Sequence, residues 1–66
     1  MKTLKFGSYQ FTVGDVVIAN AGPRYGAAYR LEDIQGRTLC LRHERTGERL
    51  QLPAHDCDMP AAAVHA

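Results

Sequence analysis

The chain is easiest to narrow by what it lacks. It has no tryptophan, and no apolar run comes near the ~20 residues needed to cross a bilayer. Its first dozen residues, MKTLKFGSYQFT, do not contain the unbroken apolar stretch of a secretory leader. Cys40 and Cys57 are the only cysteines, too few for the disulfide framework of a secreted mini-protein. A cytoplasmic location with reduced thiols is the expectation. Charge of one sign is also lacking: eight Lys and Arg stand against seven Asp and Glu, a net of +1, which singles out no partner. A nucleophile elbow, a phosphate-binding loop, an H-E-x-x-H zinc helix and a paired-carboxylate motif are all missing. So is any ten-residue stretch with a helical apolar stripe.

Size limits the chain further. Sixty-six residues make one domain, and such a chain buries only about 60% of the surface it exposes when unfolded. A water-excluding active site does not fit easily into so thin a core. The expectation is a binding protein, not an enzyme and without a cofactor. Its function would sit on a surface, in a groove between loops or at an oligomer interface.

What is present is a series of short strand patterns separated by turn residues. In the N-terminal stretch Leu4 and Phe6 alternate, Gly7-Ser8 interrupts, and Tyr9 and Phe11 alternate again. This suggests a short edge strand and a turn leading into the domain. Val13-Gly14-Asp15 is a turn signal, because glycine tolerates positive φ and an aspartate side chain can bond nearby backbone N–H groups. The β-branched run 16–19 predicts the first central strand. Residues 20–26 hold two glycines, a proline and an asparagine, the strongest loop signal in the chain.

Residues 27–35 predict a second strand with Tyr29 and Leu31 on one face. Ile34 is out of phase with them, which places a bulge near Glu32-Asp33. After a tight turn at 35–37, a third strand over 38–44 turns Leu39 and Leu41 inward and Cys40 and Arg42 outward. Residues 45–47 turn again, and a fourth strand over 48–52 directs Leu50 and Leu52 inward. Residues 53–56 fit one 3-10 turn, with a short fifth strand near 57–59. The expected fold class is all-β: a small SH3-like barrel of four to five short antiparallel strands with one short 3-10 turn. It spans residues 1–60, with 61–66 as a disordered C-terminal tail.

One stretch carries a resemblance. Residues 13–26, VGDVVIANAGPRYG, followed by Leu31, Ile34 and Gly36, resemble the KOW motif of ribosomal proteins and of elongation factors of the NusG type. That motif has a Gly-Asp turn, an apolar strand, a loop of G-x-x-x-G form and a second strand of alternating apolar residues. Here the loop glycines are Gly22 and Gly26. The opening 11–17, FTVGDVV, also resembles small bacterial SH3-like families. The match covers residues 11–36. It implies contact with nucleic acid or a ribonucleoprotein through the Gly22–Gly26 loop. The basic residues usual after the second loop glycine are replaced by Ala27-Ala28, which leaves Arg24 and Arg30 as the nearby cations.

The same opening is similar to the plasmid-borne type of dihydrofolate reductase, a short SH3-like chain that works as a tetramer around a central pore. That family uses a V-Q-I-Y stretch in a late strand. Leu50-Gln51-Leu52-Pro53 stands at the comparable place, matching Gln51 but putting Pro53 where the tyrosine belongs. This enzyme reading is the remote alternative.

Six of the eight basic residues are arginine, whose planar fork suits phosphate, carboxylate and aromatic faces. The opposing reading takes them as solvated strand faces alternating with Glu32, Asp33, Glu44 and Glu48. Tyr25 lies in a loop where a ring has little to pack against, so it is a candidate platform for stacking a base or clasping a peptide. The candidate binding residues are therefore Arg24, Tyr25, Tyr29, Arg30, Arg42 and Arg49. Cys40 and His43 have C-x-x-H spacing, with His55 and Cys57 downstream. Residues three apart on a strand point to opposite faces, so no metal site is expected. Besides nucleic acid, a protein partner or homo-oligomer using a strand edge or the Tyr25/Tyr29 surface remains open.

Overall fold

The computed structural model describes residues 2–20, 22 and 25–60. The expected tail at 61–66 therefore lies outside the described residues, as does Arg24. The described chain is all-β. Its elements in order are β1 (Thr3–Phe6), β2 (Tyr9–Thr12), β3 (Val16–Ala19), β4 (Ala28–Gln35), β5 (Thr38–Arg42), β6 (Arg49–Pro53), a 3-10 turn over Ala54–Asp56, and β7 (Cys57–Asp58). Seven strands replace the four to five expected, because the N-terminal stretch forms a complete hairpin and not a single edge strand. Every pairing is antiparallel. β1 and β2 form one sheet, and the other five strands form a second in the order β6-β5-β4-β3-β7. No strand pair among the described residues joins the two sheets or the edges of the larger one, so no closed barrel is found there.

Local chemistry explains the turns. The β1–β2 hairpin pairs Phe6 with Tyr9 across a two-residue loop in which Gly7 takes φ +61° and Ser8 stays at negative φ. Positive φ at the first loop residue alone fits a II′ turn, whose twist matches the flanking strands. At 12–15 the Asp15 N–H donates to the Thr12 carbonyl at 2.9 Å, and the Asp15 carboxylate accepts from the Thr12 N–H at 3.0 Å. Gly14 supplies φ +102° within that turn. This is the Gly-Asp turn read from the sequence.

β4 shows how the core is assembled. Tyr29, Leu31 and Ile34 are buried although Ile34 breaks the two-residue period. The pairing with β5 shifts between Leu31 and Asp33, which accommodates one extra residue and returns Ile34 to the inner face. Opposite them, Leu39 and Leu41 of β5 are fully buried. Phe11 of the small sheet and Val17, Ala19, Ala54 and Cys57 complete the core, so the hairpin is part of it and not an appendage. Tyr9 packs edge-on against Phe11 with ring centroids 5.8 Å apart, and its hydroxyl donates to Asp58 at 3.3 Å. The Asp58 charge beside it pushes the Tyr9 hydroxyl above its ordinary pKa.

The free edge of β6 is blunted. The His43 N–H donates to the Glu48 carbonyl, which makes 43/48 a hydrogen-bonded pair. Bonded pairs alternate along an antiparallel ladder, so Arg49, Gln51 and Pro53 point their backbone groups outward. Proline offers no donor there and Arg49 brings charge, two features that discourage edge-to-edge association.

Candidate functional site

The described candidate residues lie at one end of the β4–β5 ladder, where β4 begins, β5 ends and β6 begins. Arg30, Arg42 and Arg49 are direct register partners across these three strands and form one row on the outer face. The bulge sets this alignment, because without the extra residue Arg30 would stand opposite His43. Neighbouring strands lie about 4.8 Å apart, so the row starts three arginine side chains from adjacent backbone positions. Like charges placed directly opposite are destabilising. Two glutamates between them offset that cost.

The three arginines are not held alike. Arg30 donates from Nε to Glu44 Oε1 at 2.6 Å and from a terminal nitrogen to the Gly14 carbonyl at 2.6 Å. A second terminal nitrogen also contacts Glu44. Arg42 and Arg49 share a single carboxylate, Glu32, at 3.5 Å and 3.7 Å, which is charge contact without a hydrogen bond. Their donors remain available, and Arg49 is 77% exposed. Arg30 therefore acts first as a structural tie between β4, the 12–15 turn and the β5–β6 turn. Arg42 and Arg49 are the cations free to meet an incoming anion.

Tyr25 fits its expectation as an uncovered ring, at 73% exposure, in the β3–β4 loop at this same end. Tyr29 does not. At 1% exposure it belongs to the core, packed edge-on against His43 at 5.4 Å with its hydroxyl donating to Glu48 at 3.4 Å. The alternation that put Tyr29 on the face of Leu31 already placed it inside, so its ring is a core group and not an exposed platform. Arg37 sits in the β4–β5 turn at the far end of the ladder, away from the row.

Sequence reading missed Arg45, Glu32, Glu44 and Ala28. Arg45 lies in the β5–β6 turn, whose form is fixed by the His43 ring: Nδ1 accepts from the backbone N–H groups of Arg45 at 3.2 Å and Thr46 at 3.4 Å. Among the described residues no carboxylate pairs with the Arg45 guanidinium. A groove of about 340 Å³ separates this turn from the start of β3 and β4, lined by Val16, Ala27, Ala28, Tyr29, His43, Glu44 and Arg45. Its size falls at the low end of ligand sites.

Cys40 shares the outer face of β5 with Arg42, and Cys57 lies in the core. Cys40 is on the outer side of β5 between Asp33 and Gln51, whereas His43 turns toward Tyr29. Cys57 is buried, and desolvation, with the charges of Asp56 and Asp58 added, pushes its thiol up to about 11. A thiol held protonated is a packing group, not a nucleophile. No group of three or more metal-ligating side chains gathers among the described residues. No helix of the described residues is long and apolar enough to cross a membrane. In comparisons with known proteins, no protein-family model, curated protein or solved structure matches the chain.

Proposed function

We propose that the protein is a small non-catalytic binding module of KOW-like, SH3-like kind that contacts nucleic acid through the outer face of β4, β5 and β6. The observation that carries this reading is the register row of Arg30, Arg42 and Arg49, with Arg42 and Arg49 tethered only loosely to Glu32. Loosely held guanidiniums exchange one carboxylate for a phosphate at small cost, since exposed ion pairs contribute about 0–1 kcal/mol. The exposed Tyr25 ring at the same end adds a stacking surface suited to an unpaired base. The strand order, with a 3-10 turn before the last strand, supports the SH3-like reading of the fold. The Gly-Asp turn at 12–15 and the loop glycines Gly22 and Gly26 support the KOW-like one. A cytoplasmic location fits such a partner.

The test is binding of a single-stranded oligonucleotide across a salt series. Affinity should fall steeply with salt, and removing one phosphate-contacting arginine should lower the log–log slope by about 1. Arg42→Ala with Arg49→Ala should abolish most binding, and Tyr25→Ala should weaken it by roughly 1–3 kcal/mol if a base stacks there. Undetectable binding at low salt overturns the proposal.

A further inference from the structure

The groove at the arginine end arises from a mismatch in strand length. β4 has eight residues, but its ladder with β5 stops at Arg30↔Arg42, where the chain turns away at His43. Ala28 and Tyr29 therefore overhang, paired with β3 on one side only. The direction of their backbone groups follows from bonds already fixed. The Ala19 N–H donates to the Ala27 carbonyl and the Leu31 N–H to the Asp15 carbonyl, so odd-numbered residues of this stretch face β3. By alternation Ala28 faces the other way, into the groove. Among the described residues nothing takes its N–H or its carbonyl.

The surroundings of that open pair are specific. Beside it are the small or half-buried apolar groups of Val16 and Ala27, and across from it is the turn carrying His43, Glu44 and Arg45. The Glu44 charge is offset by Arg30, and the His43 Nδ1 is used within the turn. Among the described residues that leaves Arg45, which no carboxylate pairs, as the uncompensated charge of the rim. A main-chain donor and acceptor side by side match the acceptor and donor of a peptide backbone, a pair that a phosphate, which only accepts, does not supply. A cation at the rim selects an acidic side chain.

We propose that the notch beyond the end of β5 takes a short extended segment of a partner protein by strand addition. One of its residues would pair with the backbone of Ala28, and an acidic side chain next to it would meet Arg45. Small apolar side chains on the segment would fill the space beside Val16 and Ala27. This site is separate from the Arg42–Arg49 face and does not depend on nucleic-acid binding.

The probe is a capped hexapeptide alternating aspartate with alanine, compared with its lysine counterpart and with copies N-methylated at each central residue in turn. Binding is followed by amide chemical shifts of the labelled protein and by titration calorimetry. The acidic peptide should bind at least about tenfold more tightly than the lysine one, with shifts centred on Ala28 and residues 43–45. One N-methylated copy should lose binding, because a backbone donor is removed without changing charge. Arg45→Glu should reverse the preference between the two peptides. Ala28→Trp fills the groove from an exposed position and should abolish peptide binding while keeping the fold, seen in an otherwise unchanged amide spectrum, and keeping any oligonucleotide binding. Equal binding of both peptides, shifts confined to Arg42 and Arg49, or full binding by every N-methylated copy would each overturn the assignment.

Discussion

At one end of the β4–β5 ladder the Gly36-Arg37 turn is tied in by neighbouring segments. The Ala54 N–H donates to the Arg37 carbonyl at 2.8 Å, and Lys2 reaches both Asp33 at 3.0 Å and the Ile34 carbonyl at 3.3 Å. At the other end the same two strands finish out of step. That leaves a backbone pair at Ala28, a row of three arginines and an uncovered Tyr25. One end uses its polar groups internally and the other keeps some available. In a chain with so little core this division is physically reasonable: the closed end contributes stability, and the open end can afford unmet groups because they face water.

The sharpest way to break the comparison is Phe11→Ala. Phe11 is fully buried and belongs to the hairpin that helps close the first end. Truncating a buried Phe costs about 3–5 kcal/mol, a large share of the ~3–10 kcal/mol expected for a chain of this length. Thermal denaturation should show a Tm drop of tens of degrees or no cooperative transition at all. Tyr25→Ala at the open end should stay within about 0.5 kcal/mol of the parent. Comparable losses in the two variants would remove the distinction.

A smaller effect is expected at Gly14, whose carbonyl holds Arg30 in place. An added Cβ there meets nothing within 4 Å, so the cost of Gly14→Ala is that of forcing φ +102° on an L-residue. About 1–2 kcal/mol should be lost in urea denaturation, with an unchanged m-value. Smaller again is the contrast between two arginines of one row. Arg30→Ala removes a carboxylate fork and a carbonyl bond on an exposed surface and should cost ~0.5–1 kcal/mol. Arg42→Ala removes only a loose 3.5 Å contact and should leave stability unchanged within about 0.5 kcal/mol. If Arg42→Ala proves the more destabilising, Arg42 is a structural residue and not a free cation.

Most of the strand pattern was legible because it depends on local period and turn chemistry. The inward set of Leu39, Leu41, Tyr29 and Leu31 follows from alternation, and the phase slip at Ile34 announced the bulge. The N-terminal hairpin was only half legible, since two four-residue strands broken by Gly7-Ser8 look like one edge strand and a turn, even with Phe11 assigned to the core. Half of the arginine row could have been counted: a two-residue turn at Gly36-Arg37 and one bulged residue bring Arg30 opposite Arg42, whereas Arg42 meets Arg49 through the β5–β6 turn. The notch at Ala28 could not. It depends on where β5 stops, at a turn in which the His43 ring accepts two local backbone N–H groups while packing on Tyr29, a contact that no spacing signals. The chemistry of Tyr29 suggests a site residue, but its phase puts it on the face of Leu31, and it is buried there.

The smallest effect tests the closed end by its charge. The Lys2 ammonium hydrogen-bonds Asp33, the Ile34 N–H donates to the same carboxylate at 2.8 Å, and together they hold Asp33 below its ordinary value of 3.8. A carboxylate whose pKa is lowered by folding contributes stability above its unfolded value and loses that contribution as pH falls through the folded one. The contribution should therefore be complete at neutral pH and disappear below pH 3.8. Following the Asp33 carboxyl carbon through an acid titration should give a midpoint below 3.8 in the parent and a higher one in Lys2→Ala. The backbone N–H of Ile34 and, to a smaller extent, the Gln35 side chain would then account for what depression remains. Added salt should move the parent midpoint upward, because both partners are exposed and the pair is screened. A midpoint indifferent to Lys2 would mean that this end is closed by backbone bonds and burial alone, with the ion pair an ornament of the surface.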